Sequence, residues 1–291
     1  MALNKMHKET GRMLKEDNTF INRADYVYNS HRDYYKRVSD FGVDIVKGEV
    51  PGHTVIHKFG RNSAVSSSFV PICESGFFRT PTTNTALEVV STDADDNASG
   101  AGARTIYYEG LQMQSGSLVV VSDVVELDGT TAVALPDSLI RLYRWYVASS
   151  GVYASQSVAS HQGDISIQES GAGNVWSKIA INTFGRGQSQ IGAYTVPTGY
   201  IAFMTDITSS VESDKEAEIL LFQRNGVLNT TAPYNPIRLV TEISSAKGVQ
   251  SINFSSPLKF EEETDMIFFA KQKKGDSPAT IDFTLYLVQN V

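Results

Sequence analysis

The sequence has a single cysteine, Cys73, among 291 residues. No intramolecular disulfide can form, and a cysteine-rich zinc site is excluded. Histidine is scarce too, with five residues, which leaves few candidates for a general base or a metal ligand. Lysine and arginine are outnumbered by aspartate and glutamate, 25 to 32, for a net charge of −7. That balance argues against a basic nucleic-acid binder. Long apolar runs are absent. Stretches such as Leu118–Val121 fall far short of the ~20 residues needed to cross a bilayer. The N-terminal MALNKMHKETGRMLKEDN lacks the apolar core of a secretory signal. We therefore expect synthesis and folding in a cytoplasm, with no membrane insertion. What is present is an ordinary globular balance, 41 % hydrophobic and 20 % charged, which argues against global disorder.

Charge is unevenly spread. Residues 1–50 hold nine Lys/Arg and eight Asp/Glu, a net of +1, so the remainder carries −8. Asn22 can cap a helix, with Asp25 at its third position. Val27, Tyr34, Val38 and Phe41 then recur at helical spacing, and Tyr28, His31 and Tyr35 widen that face. A weaker stripe, Leu3, Met6 and Leu14, is interrupted by Gly11. Residues 1–50 read as a partly helical arm, with Val27, Tyr34, Tyr35, Val38 and Phe41 as its docking residues. So narrow a stripe needs apolar surface to cover it. That surface is either the chain's own body, making a lid, or a neighbouring subunit, making an interlocking arm.

Pro51-Gly52 marks a change of period. Beyond it come short β-branched and aromatic runs: His53–Phe59, Ala86–Ser91, Arg104–Tyr108, Leu118–Val121, Val124–Leu127, Leu139–Val147 and Asp164–Gln168. They continue through Ser177–Asn182, Tyr200–Ile207, Ala217–Gln223, Ile237–Ile243, Gln250–Phe254, Met266–Lys271 and Thr280–Val288. Turn pairs such as Asp128-Gly129 and Asn225-Gly226 punctuate them. The pattern predicts an all-β body without a long amphipathic helix. A small, polar stretch at residues 149–163 divides it. We expect two jelly-roll-like β-sandwiches in series, over 51–150 and 151–291. A single large sandwich with insertions is the alternative. In the last strand Ile281, Phe283, Leu285 and Leu287 alternate cleanly, which predicts one buried face.

Catalytic and cofactor signals are weak. His53 and His57 lie on a predicted strand about 13 Å apart, too far to share an ion. Asp93-Ala94-Asp95-Asp96-Asn97 opens like a calcium loop, but Ala98 stands where glycine is needed and Arg104 where the closing glutamate should be. A solvated acidic loop fits better. Gly100-Ala101-Gly102-Ala103 is followed by a strand and lacks a P-loop lysine, so it reads as a turn or a backbone crossing. Neither Gly187-Gln188-Ser189 nor Gly275-Asp276-Ser277 completes a nucleophile elbow. No enzyme activity, cofactor or metal is expected. Arg144, Trp145 and Trp176 supply residue types of a glycan site, although a tryptophan on a strand is also a usual core residue. Arg141 and Arg144, interleaved with aromatics, predict a salt-bridged or interfacial strip.

Five blocks in order resemble a family of virion proteins from marine tailed bacteriophages. They are GHTVIHKFGRN (52–62), GAGARTI with EGL (100–106 and 109–111), VVELDGT (124–130), LIRLYR (139–144) and YTVPTGY (194–200). The resemblance fades over residues 1–40 and 205–291. It implies a non-enzymatic structural protein of the virion, assembled in the host cytoplasm as symmetric copies beside other virion proteins. A tail-side anchor or adaptor is the expected role. A capsid decoration or cement protein and a module binding a host glycan or receptor are the alternatives. The absence of disulfides suits assembly in a reducing cytoplasm.

Overall fold

The computed structural model describes residues 41–155, 157–181 and 187–290. The chain divides into two compact units, residues 1–53 and 54–291. In the first, a short helix, α1 (Phe41–Val46), buries Ile45 and ends at a turn through Gly48, before a strand begins at His53. Among the described residues, Pro51-Gly52, where the sequence predicts a change of period, lies between this helix and that strand.

The second unit is all-β. Its first sheet has the order β1 (His53–Val65), β16 (Ser277–Gln289), β11 (Tyr200–Val211), β14 (Gly248–Phe260). The second has β10 (Ala193–Thr195), β15 (Asp265–Lys274), β12 (Glu216–Arg224), β13 (Arg238–Ala246), with β2 (Val70–Pro71) also on β15. The third runs β6 (Val133–Ala134), β3 (Leu87–Ser91), β8 (Ile165–Glu169), β9 (Val175–Ile179). The fourth runs β5 (Ser117–Glu126), β4 (Ala103–Gln114), β7 (Arg141–Ser150).

This arrangement corrects the expectation of two sandwiches divided near residue 150. β1, from the expected first domain, pairs with β16 at the C-terminus, and β8, from the expected second, pairs with β3. Four sheets suggest a propeller-like arrangement instead. Strand patterning fixes which residues of a strand face inward, but it does not fix which strand pairs with which.

Two apolar clusters hold the sheets. The larger gathers β16, β11, β12 and β15 side chains, among them Phe283, Ile207, Leu221 and Phe268. The smaller gathers Val89, Ile106, Trp145, Ile167 and Ile179 from the third and fourth sheets. In β16 the alternation is complete: Ala279, Ile281, Phe283, Leu285 and Leu287 are all buried. β4 and β5 are joined by Ser115-Gly116, both at positive φ, which a two-residue hairpin turn demands. Gly60 of β1 passes so close to Gly192 that a Cβ there would lie 2.3 Å from the Gly192 Cα. Only glycine permits that crossing.

A buried ion pair ties the fourth sheet to the second. Arg141 Nε and Nη2 donate to the two oxygens of Asp265, each at 2.8 Å. Thr195 Oγ1 donates to Asp265 Oδ1, and Arg141 Nη1 donates to the carbonyls of Ile140 and Pro81. Every charge in this node is matched, as burial requires.

Candidate assembly surface

Of the predicted arm residues, Val27, Tyr34, Tyr35 and Val38 lie outside the described residues. Phe41 opens α1, exposed, with its ring edge-on to His53 at 5.9 Å. The proposed glycan aromatics are core residues. Trp145 is 0 % exposed and Trp176 4 %. Trp145 Nε1 donates to Ser177 Oγ at 2.8 Å, and Trp176 Nε1 to Glu169 Oε1 at 3.3 Å. Neither ring can lie under a sugar, so these residues are not a glycan platform. Arg144 is partly exposed and faces Glu109 at 3.6 Å. With Arg141 on Asp265, both arginines of this strand are salt-bridged.

The weaker motifs take structural places. His57 Nε2 meets Asp282 Oδ1 at 2.7 Å. Among the described residues no group of three or more His, Cys, Asp or Glu side chains could hold a metal ion. Ser189 bonds across to β7, its Oγ accepting from the Trp145 amide at 2.9 Å. Ser277 Oγ is buried and donates to the Pro278 carbonyl.

The acidic loop is not merely solvated. Asp96 is fully buried and its carboxylate accepts four hydrogen bonds. Ser91 Oγ (2.6 Å) and the Gly163 amide (2.9 Å) donate to Oδ2, and the Ala103 (2.7 Å) and Gln162 (2.9 Å) amides donate to Oδ1. A side chain at Gly102 would meet Asp96 Oδ1 at 2.1 Å. The glycines after the acidic run thus let the backbone close on a buried anion. In sequence they were the one signal that an aspartate turns inward.

A second buried polar cluster lies beneath β1. Lys58 is buried and its Nζ donates to the Tyr143 carbonyl. Burial, with Arg144 nearby, brings the Lys58 pKa down to about 7. Burial pushes the Cys73 thiol up to about 12 and raises the Tyr143 and Tyr194 phenols as well. Those two rings stack at 4.5 Å, and Tyr143 Oη donates to the Thr195 carbonyl.

The outward-facing feature is a set of sheet edges. β5, β13 and β14 each end a sheet. β5 exposes Val119, Val120 and Val124, β13 exposes Leu239, and Ile237 is exposed just before it. β14 exposes Val249 at 71 %, leaves Ile252 half-buried, and packs half-buried Phe254 and Leu258 against the larger core. Charges guard β5 (Asp123, Glu126) and β13 (Arg238, Glu242). From Gly248 to Ser256, β14 carries nine residues with neither charge nor proline. Proteins usually blunt such an edge, because its free amides and carbonyls invite another strand.

Among the described residues no helix is long and apolar enough to cross a membrane. No protein-family model matches the chain, and no curated protein matches it. Among solved structures it is similar to a chain of the "Structure of infectious bursal disease virus Gt strain", at 8 % identity. The likeness covers 88 % of this chain and 82 % of that one with a TM-score of 0.17, too loose a superposition to bear on fold or function.

Proposed function

We propose that this chain is a non-enzymatic structural protein of a tailed-phage virion. It assembles through its sheet edges into symmetric copies, as a tail-side anchor or adaptor. The observation that carries the assembly reading is the β14 edge over Gly248–Asn253, in unbroken register with β11 and free of charge and proline. A second copy, or a strand of another virion protein, would pair its backbone, beside the exposed Val249. The five sequence blocks support the virion setting. The N-terminal fifty residues, near neutral at net +1 against a body of −8, supply a segment that an acidic neighbouring subunit does not repel. No metal, cofactor, nucleic acid or membrane insertion enters this role, and assembly takes place in the host cytoplasm.

Two measurements test it. Native mass spectrometry of the full chain should show one closed oligomer, since closed symmetry is the usual solution for repeated subunits. A monomer at all accessible concentrations would falsify the edge-pairing reading. Quantitative mass spectrometry of purified particles should find a small symmetric copy number that stays with isolated tails. A copy number matching the shell subunits would make the chain a capsid decoration protein, and its absence from particles would remove the virion reading.

A further inference from the structure

A cleft of about 390 Å³ opens between residues 80–82 and the loop that joins β12 to β13. Two arginines line it, Arg141 and Arg224. The charge of Arg141 is met by Asp265. That of Arg224 is not. Its Nε is buried with no hydrogen-bond partner, and it forms no ion pair among the described residues. Asp265 is its cross-strand neighbour, but both oxygens of that carboxylate already accept from Arg141 and one also from Thr195. The node and Arg224 together therefore carry one uncompensated positive charge, inside a chain of net −7. A guanidinium half-withdrawn from water without an ion-pair partner is costly, and a carboxylate in the cleft accepting from its terminal nitrogens would offset that cost.

The rest of the lining is built for hydroxyl groups. Asn235 Nδ2 donates to the Asn225 carbonyl at 3.0 Å and Asn229 Nδ2 to the Pro233 carbonyl at 3.4 Å. These bonds brace the loop from within and leave both Oδ1 atoms as acceptors. Thr80, Thr82 and Thr230 line the same cleft, and their hydroxyls make no hydrogen bond among the described residues. Tyr234 stands at the cleft 66 % exposed, a ring on which the C–H face of a pyranose can lie.

We propose that this cleft binds a carboxylate-bearing saccharide. Arg224 takes the carboxylate, the threonine and asparagine oxygens take the hydroxyls, and Tyr234 stacks on the sugar face. The site differs from the Arg144, Trp145 and Trp176 set, which the core absorbs, and it stands whether or not the chain belongs to a virion.

The experiment is titration calorimetry of the full chain with galacturonate and glucuronate oligosaccharides, their neutral galactose and glucose counterparts, and an acidic peptide. Acidic oligosaccharides should bind about tenfold or more tightly than neutral ones. Arg224→Met should lose that margin while Arg224→Lys keeps part of it, with all variants melting like the parent. Tyr234→Ala should weaken acidic and neutral sugars alike. Equal binding of acidic and neutral sugars, undiminished binding in a folded Arg224→Met, no binding of either acidic series, or binding of the acidic peptide alone would each overturn the proposal.

Discussion

The last strand and the loop at residues 92–104 reach full burial by opposite means. β16 buries Ile281, Phe283 and Leu285 by alternation, as a strand flanked by β1 and β11 in its sheet. The loop buries an anion, Asp96, and its closure depends on three amides and a serine hydroxyl aimed at one carboxylate. Apolar burial is graded, because each methylene adds a similar increment and neighbours can relax. A buried carboxylate is closer to all-or-none, because removing it strands every donor it held. The two regions therefore differ in how they should fail.

The largest effect is expected at the loop. Asp96→Ala leaves three buried donors and one partly buried one without an acceptor and should cost about 4 kcal/mol. Asp96→Asn should recover only a minority of that, since its amide turns donors toward donors. Phe283→Ala should cost slightly less, about 3–4 kcal/mol, by opening a cavity between the first and second sheets. Phe283→Leu should recover most of the loss, since it keeps shape and apolarity. Urea unfolding of the four variants checks the contrast. It breaks if Asp96→Asn is as mild as Phe283→Leu.

That contrast also marks what the sequence could reveal. The inward set of β16 was legible from period alone, and the Asp128-Gly129 and Asn225-Gly226 turns were legible because Gly129 and Gly226 take positive φ. Sheet membership was not. The pairing of β1 with β16 joins residues more than two hundred positions apart, and strands as short as β2, β6 and β10 carry no readable period. Asp96 was hidden in an acidic run, where nothing but the following glycines separates the inward carboxylate from its solvated neighbours. Trp145 and Trp176 followed the general tendency of strand tryptophans toward the core. Arg224 left no mark of its own. The connection after it, residues 225–237, was marked by its length and its asparagine, threonine and proline content, which are common features of binding loops.

A third, smaller effect brings pH into the comparison. Lys58 has a pKa of about 7 in the folded chain against 10.5 in its ordinary state. Below about 7 both states hold the proton and stability is flat with respect to this group. Between about 7 and 10.5 the unfolded chain holds it and the folded chain does not, so stability rises with pH. Cys73 and the buried tyrosines oppose this from about 9 upward, because the unfolded chain then sheds protons that the folded chain keeps. Between pH 7 and 9 the gain should be about 2 kcal/mol. Lys58→Met should flatten it, as denaturant midpoints across that range will show. An unchanged slope would mean that Lys58 is hydrated when folded.

The smallest effect on stability should have the largest effect on association. Val249 and Asn253 lie exposed on β14, so Val249→Lys with Asn253→Lys should change unfolding by about 0.5 kcal/mol or less per site. The same two lysines place like charges where a second strand would pair, the device by which proteins close an edge. The doubly substituted chain should remain folded and run as a monomer in light scattering, whereas Val124→Lys on β5, already guarded by Asp123 and Glu126, should leave the oligomer intact. Loss of the oligomer from the β5 variant alone would move the interface to the fourth sheet. The uncharged stretch of β14 from Gly248 to Asn253 would then need another explanation, since its outer amides and carbonyls would remain unpaired by a second strand.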